Sequence, residues 1–150
     1  MVDGGGQRRV NGLNADQRAA ALRISPTFAG VPSDALRMLA ETMVEETFAP
    51  GEVVCEEGDD APGAYLIASG CVEVSIAGKA IRTLGAGEMI GEYGMFQSGV
   101  RRARIAALEP TSLLFVEYSR CLEVLRQHPD AMLGLWRTTV LRLLEEQRGR

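Results

Sequence analysis

The sequence predicts an α+β fold in which helices flank a run of about eight short antiparallel strands. Two observations carry that expectation. Apolar residues recur with helical spacing up to about residue 42 and again beyond Tyr118, whereas between Thr42 and Glu117 the period shortens to two. Glycines punctuate the middle stretch at 51, 58, 63, 70, 78, 85, 87, 91, 94 and 99. Short strands divided this way close into a sandwich or a barrel.

In chain order, residues 1–13 are glycine-rich and polar and read as a disordered tail. The domain proper is expected over 14–150, with helices at 14–41, strands over 42–117 and C-terminal helices at 118–148. Asn14 is a helix N-cap with Gln17 three residues on, ahead of Ala19, Ala20 and Leu22. Ser25-Pro26 interrupts that helix, and a second begins near Ser33 with Leu36, Leu39, Ala40 and Met43 on one face. Strands follow near 43–49, 52–57, 63–69, 71–77, 79–84, 88–90, 102–109 and 111–117. Val72, Val74 and Ile76 alternate with Cys71, Glu73 and Ser75, the mark of a half-buried strand, and Ala77-Gly78-Lys79 makes a tight hairpin turn. Ser119 caps a helix carrying Leu122, Val124 and Leu125; His128-Pro129 ends it and starts the last one. That helix places Met132, Leu135, Trp136, Thr139, Val140, Leu143 and Leu144 in an apolar stripe wider than one contact face requires. One side should pack on the strands, and the other should cover a ligand, a partner helix or a further domain.

Composition removes several function classes. One histidine, His128, and three cysteines without CxxC spacing, Cys55, Cys71 and Cys121, supply neither a metal site nor a catalytic triad. The odd cysteine count argues against a disulfide framework, and the N-terminus has no apolar core of a signal peptide, so a cytoplasmic protein is expected. No apolar run reaches the roughly 20 residues of a membrane span. A net charge of −4 disfavours a general nucleic-acid binder.

The stretch Gly87 to Ala103 concentrates groups that seek anions and hydroxyls. Gly87, Gly91 and Gly94 offer backbone N–H donors, Arg101 and Arg102 offer planar forks for phosphate, and Glu92 offers an acceptor for sugar hydroxyls. Together they suggest a small sugar phosphate. The ordinary alternatives are a turn carboxylate at Glu92, a surface arginine at 101, and a solvated loop at Glu56-Glu57 and Asp59-Asp60.

Phe48, Gly51, Val53, Gly58, Tyr65, Ile67, Gly70, Val72 and Val74, followed by Ile90-Gly91-Glu92 and Arg101-x-Ala103, resemble the cyclic-nucleotide-binding domain family. The likeness runs over roughly 25–148 and implies a jelly-roll-like antiparallel β-roll with N-terminal helices and two C-terminal helices. It further implies that Gly91 to Met95 with Arg101 to Ala103 form a phosphate-binding cassette. Glu92 would accept the ribose 2′-hydroxyl, the N–H groups around Tyr93, Gly94 and Met95 would face the cyclic phosphate, and Arg101 would pair with it. Counting from Arg101 puts the family's apolar positions at Ile105, Ala107, Leu113 and Val116; counting from Arg102 puts them at Ala106, Leu108, Leu114 and Glu117. Only the first register keeps every one apolar. Two departures stand out. Arg102 replaces the usual small residue and Arg104 a usual Thr, Ser or Trp; of the crowded guanidinium groups, at least one should point to solvent. The absent hydroxyl at 102 tilts the ligand toward cAMP over cGMP. Val74 and Trp136 are candidates for the base pocket and its lid, with core packing the ordinary reading of Trp136.

These expectations make the chain a regulatory sensor and no enzyme, with a cyclic nucleotide as ligand and no cofactor. The last helix, hinged near His128-Pro129, would move as its output. A fused or partner effector domain and a homodimer through Met132, Trp136, Thr139 and Leu143 are further expectations. So is a sensor fragment of a transcription regulator, which ending at Arg150 would not itself bind DNA. The competing reading is a degenerate roll that binds no nucleotide and serves as an interaction module.

Overall fold

The computed structural model describes residues 12–95 and 99–148. Its elements are α1 (Ala15–Ile24), a 3-10 turn (Pro26–Phe28), α2 (Ser33–Thr42), β1 (Val44–Phe48), β2 (Val53–Cys55), β3 (Gly63–Ser69), β4 (Cys71–Ile76), β5 (Lys79–Gly85), β6 (Met89–Ile90), a second 3-10 turn (Glu92–Met95), β7 (Arg104–Ala107), β8 (Thr111–Glu117), α3 (Tyr118–Gln127) and α4 (Pro129–Arg148). Two antiparallel four-stranded sheets, in the orders β1-β8-β3-β6 and β2-β7-β4-β5, face each other as the expected β-roll.

Three layers follow from how the strands distribute their apolar residues. In β3, Ala64 and Leu66 join the core beneath the helices, while Tyr65 and Ile67 join the core between the sheets. β8 divides likewise, Leu114 and Val116 to the helices and Leu113 to the other sheet. A sheet covered on both faces needs nearly continuous apolar strands, which these two have. β4 is covered on one face, so its Val72 and Val74 are buried while Cys71, Glu73 and Ser75 are only partly so.

Local signals account for most element ends. The Asn14 side chain accepts from the Gln17 N–H and the Gln17 side chain accepts from the Asn14 N–H, a complete capping box. Ala77 and Gly78 both take positive φ, 52° and 80°, as a two-residue hairpin turn requires. His128 closes α3 and Pro129 opens α4.

Several expectations change. In α1 the buried alanines are Ala19 and Ala21, not Ala20. Residues 1–11 of the expected tail lie outside the described residues, but Leu13 packs on the helical core and donates its N–H to Glu45. Ser119 does not cap α3, because β8 runs straight into the helix and the extended residue Glu117 takes the cap position without a side-chain bond. β7 starts at Arg104 because Arg101 is held across from the Glu56–Asp60 loop, its N–H donating to Asp59 O at 2.8 Å and its carbonyl accepting from Gly58 N–H at 2.9 Å. The acidic side chains of that loop are exposed, as expected.

The largest change concerns α4. Its buried residues are Ala131, Leu135, Thr139, Arg142 and Glu146, whereas Leu133, Trp136, Val140, Leu141, Leu143 and Leu144 are exposed. The helix turns apolar side chains outward and, in its second half, charged ones inward. Thr139, buried and bonded to Leu135 O, breaks the seam expected from Met132 to Leu143.

Burial also sorts the three thiols. Cys121 is fully buried in the helical core and desolvation pushes it up to about 12, Cys55 is raised for the same reason, and Cys71 is half-buried. A disulfide-exchange reagent at mildly alkaline pH should label Cys71 alone in native protein and reach Cys55 and Cys121 only after denaturation. Equal labelling rates for all three would contradict this packing.

Candidate functional site

The site lies at one end of the roll, where β6, the turn after it, the segment before β7 and the end of α4 converge. Met89 and Ile90 are buried as β6 pairs with Tyr65 and Leu66 of β3, and this delivers Gly91 and Glu92 to the cavity between the sheets. Gly91 has a φ of 84°, and a side chain there would meet Arg101 Nη1 at 2.4 Å. At Gly94 a side chain would meet the Tyr118 hydroxyl at 2.1 Å. These two glycines therefore make room for Arg101 and for Tyr118, whose hydroxyl donates to Gly91 O at 2.6 Å. The Gly94 N–H, expected to face a phosphate, donates to Gly91 O at 3.2 Å. The side chains of Tyr93 and Met95 lie outside the described residues.

Arg101 is 8% exposed, donates from Nη1 to Gly63 O at 2.9 Å and stacks over the Tyr65 ring with its guanidinium carbon 5.5 Å from the centroid. Ile105, Ala107, Leu113 and Val116, the positions counted from Arg101, are all buried, while the alternative register leaves Leu108 and Glu117 exposed. Arg104 points outward to Glu56 at 3.2 Å. Arg102 is partly buried and lies 3.8 Å from Glu146.

Glu92 is 1% exposed. Its Oε2 accepts from Arg142 Nη1 at 2.5 Å, and its Oε1 has no hydrogen-bond partner among the described residues. Arg142 also donates to Met89 O at 2.7 Å and lies 3.8 Å from Glu88. Arg82 of β5 fixes the helix above, donating to Arg142 O at 3.1 Å and pairing with Glu145 at 3.2 Å. The cavity holds about 60 Å³, with Val74, Ala103, Glu92, Arg101 and Arg142 among its lining. Ligand pockets run to about 300–1,000 Å³, so in this arrangement the chain itself fills most of the site. A cleft of about 350 Å³ adjoins it, sharing Ile76, Arg82 and Glu146.

The structure thus brings together Gly91, Glu92, Arg101, Arg102, Ala103 and Val74. It does not bring Trp136, which is 57% exposed because Leu135, Thr139 and Arg142 take the inner face of α4. Sequence reasoning missed Arg142, Glu146, Arg82 and Tyr118. The first two continue the buried spacing of Ala131, Leu135 and Thr139, which was legible; no sequence signal marked the others. The described residues contain no cluster of His, Cys, Asp and Glu suited to a metal ion and no helix long and apolar enough to cross a membrane.

A two-sheet roll with buried charges of both signs around one end cavity has the make-up of a ligand-binding domain. Residues 45–128 match the family model described as "Cyclic nucleotide-binding domain", more than half of the chain, and the chain belongs to that family. It is 30% identical over 116 residues to a cGMP-dependent protein kinase of Eimeria tenella, covering 74% of this chain and 11% of the kinase. A cyclic AMP receptor protein of Thermus thermophilus is 28% identical over 110 residues, covering 70% of this chain and 51% of the receptor. Among solved structures, the N-terminal domain of a transcriptional regulator from Streptomyces coelicolor superposes with a TM-score of 0.66 at 27% identity, covering 87% of this chain and 94% of that one. The chain thus spans between a tenth and about half of these curated relatives.

Burial pushes the Glu92 carboxyl above its ordinary range, and the Arg142 guanidinium opposes that rise without cancelling it. A carboxyl whose folded pKa exceeds its unfolded value takes up a proton on folding in the interval between them. Its contribution to stability is therefore most favourable below the unfolded value near 4.5 and is lost as pH rises through the folded one. Denaturant titrations of wild type and Glu92→Gln, stepped from there to neutrality, should show wild type losing stability relative to the variant as pH rises. A difference that stays flat or moves the other way contradicts this environment.

Proposed function

We propose that the chain is a cyclic-nucleotide-sensing regulatory module rather than an enzyme. Glu92 accepts the ribose 2′-hydroxyl, Arg101 pairs with the cyclic phosphate, and backbone N–H groups around Tyr93, Gly94 and Met95 complete the cassette. The observation that carries this reading is the pair of buried, opposite charges that line one cavity while each is engaged elsewhere. Glu92 faces Arg142 with one carboxylate oxygen that has no partner among the described residues, and Arg101 rests on a carbonyl and a ring. A ligand with a hydroxyl and an anionic group a few ångströms apart suits both. Membership of the family supports the same ligand class.

cAMP ranks ahead of cGMP because the residue after Arg101 is Arg102, with no hydroxyl for the guanine amino group. Val74 on the cavity wall meets the base. Among the described residues that line the cavity none pairs a nucleophile with a base, which suits a ligand that is held. The output is movement of α4, read by a fused or partner effector domain or by a second copy against the outward stripe of α4. A cytoplasmic setting suits such a ligand.

One observation favours a second reading, a roll that binds no nucleotide and works as an interaction module: the cavity holds only about 60 Å³. Calorimetric titration with cAMP, cGMP and a cyclic dinucleotide separates the two readings. A ligand at a hundred times its Kd stabilises the fold by about 2.7 kcal/mol, so a thermal shift reports the same choice. Charge-assisted hydrogen bonds contribute about 1.5–3 kcal/mol, so Arg101→Ala should weaken cAMP binding about ten- to a hundredfold. Unchanged affinity removes Arg101 from the phosphate.

A further inference from the structure

We infer that Arg142 is an internal competitor for the ribose site: the chain's own guanidinium occupies the acceptor Glu92, and a ligand enters only by displacing it together with the distal half of α4. The inference rests on the cyclic-nucleotide reading for the identity of the ligand, but the closure itself is visible without one.

Four observations converge. Arg142 is a long, charged side chain on a surface helix, yet it is 7% exposed and makes a short bond to Glu92. Its other partners, Met89 O and Glu88, belong to β6 and the residue before it, the segment that positions the cassette. The same helical turn is bolted down from the far side by Arg82, on Arg142 O and Glu145, while Glu146 meets Arg102. The helix achieves this by turning inward a charged pair while Val140, Leu141, Leu143 and Leu144 face out. A helix of this composition would rather bury its leucines. The inward face is explained when it answers charges on the cavity.

The geometry also says what release would do. Arg82 and Glu146 line both the small cavity of about 60 Å³ and the adjoining cleft of about 350 Å³, so the end of α4 borders both. Freeing Arg142 and the end of α4 joins the two into a volume within the range of small-molecule pockets. A ribose hydroxyl reaching Glu92 then takes the place of the guanidinium N–H on Oε2. Closed and open arrangements then compete, and the apparent affinity falls by the fraction of chains that are open.

The test uses Arg142→Met, which keeps the length and packing of the side chain and loses its charge, with Arg142→Lys and Glu92→Gln beside it. With an open state populated at about 1–10%, Arg142→Met should bind cAMP about ten- to a hundredfold tighter than wild type, and Arg142→Lys should fall between them. Equal or weaker binding by Arg142→Met overturns the inference, since Arg142 is then neutral or a ligand contact. Amide hydrogen exchange without ligand gives an independent readout. Residues 139–148 should exchange faster in both Arg142→Met and Glu92→Gln, with α1 to α3 unchanged; exchange equal to wild type overturns the closure. If no form binds any cyclic nucleotide, the proposed ligand fails, and the exchange result alone decides whether Arg142 closes the site.

Discussion

A carboxylate withdrawn from water must be met by positive charge or by hydrogen bonds, and Glu92 imposes that demand on everything around it. An ion buried in a protein loses several kcal/mol of hydration, and removing its partner costs about 3–5 kcal/mol. Glu92 sits in a short turn after a two-residue strand, so neither its own element nor its neighbours in sequence can supply a cation. The partner comes from Arg142, fifty residues on, at the far end of the chain. Arg101 lies on the same cavity but is held by Gly63 O and the Tyr65 ring. Of the charges on the cavity, Glu92 is met by Arg142 while Arg101 is held on Gly63 O and the Tyr65 ring, so Glu92 and Arg101 are kept from pairing with each other.

That separation depends on the sheet between them. β3 supplies Gly63 O and Tyr65 to Arg101 and pairs with β6, which leads to Glu92. Because the strand is covered by helices on one face and by the second sheet on the other, its register is fixed from both sides; a slip of one residue would exchange Leu66 and Tyr65 between two cores. Precision at the cavity is thus inherited from burial far larger than the site. The binding groups can be engaged elsewhere, and even occluded, without loosening the frame.

The same physics decides what was legible in the sequence. The order of elements and the strand limits at Gly63–Ser69 and Thr111–Glu117 rest on period and capping, which are local properties, while the choice of Arg101 over Arg102 rests on where the resembled family's apolar positions fall. Ser119 misled because a cap residue signals a helix start only where the chain has to turn into the helix, and β8 does not turn. α4 misled for a deeper reason. The rule that apolar faces point inward assumes that the inside is apolar, and at its distal half α4 meets Glu92, Glu88 and Arg102 instead. That rule placed Trp136 in the core, where it is not, and it overlooked Arg142 and Glu146. The failure is confined to the one element that crosses the cavity.

α4 consequently has two halves held by different forces. Ala131 and Leu135 sit in the helical core with Leu36, Leu125 and Phe28, and a side chain at Gly134 would press on Thr27 at 3.3 Å. Beyond Thr139 the contacts include the ion pairs of Arg142, Glu145 and Glu146, a bond from Arg142 to Met89 O and one from Arg82 to the helix backbone. Apolar burial is insensitive to which ion occupies the cavity, whereas an ion pair can be exchanged for another polar partner of similar strength. Local opening follows the cheapest cooperative unit, which on the closure inferred above is the distal half. The division falls at Thr139, whose hydroxyl bonds Leu135 O inside the helix rather than any other element. A helix anchored at one end by the core and at the other by the site's own charges can transmit occupancy of the site without unfolding anything that defines the domain.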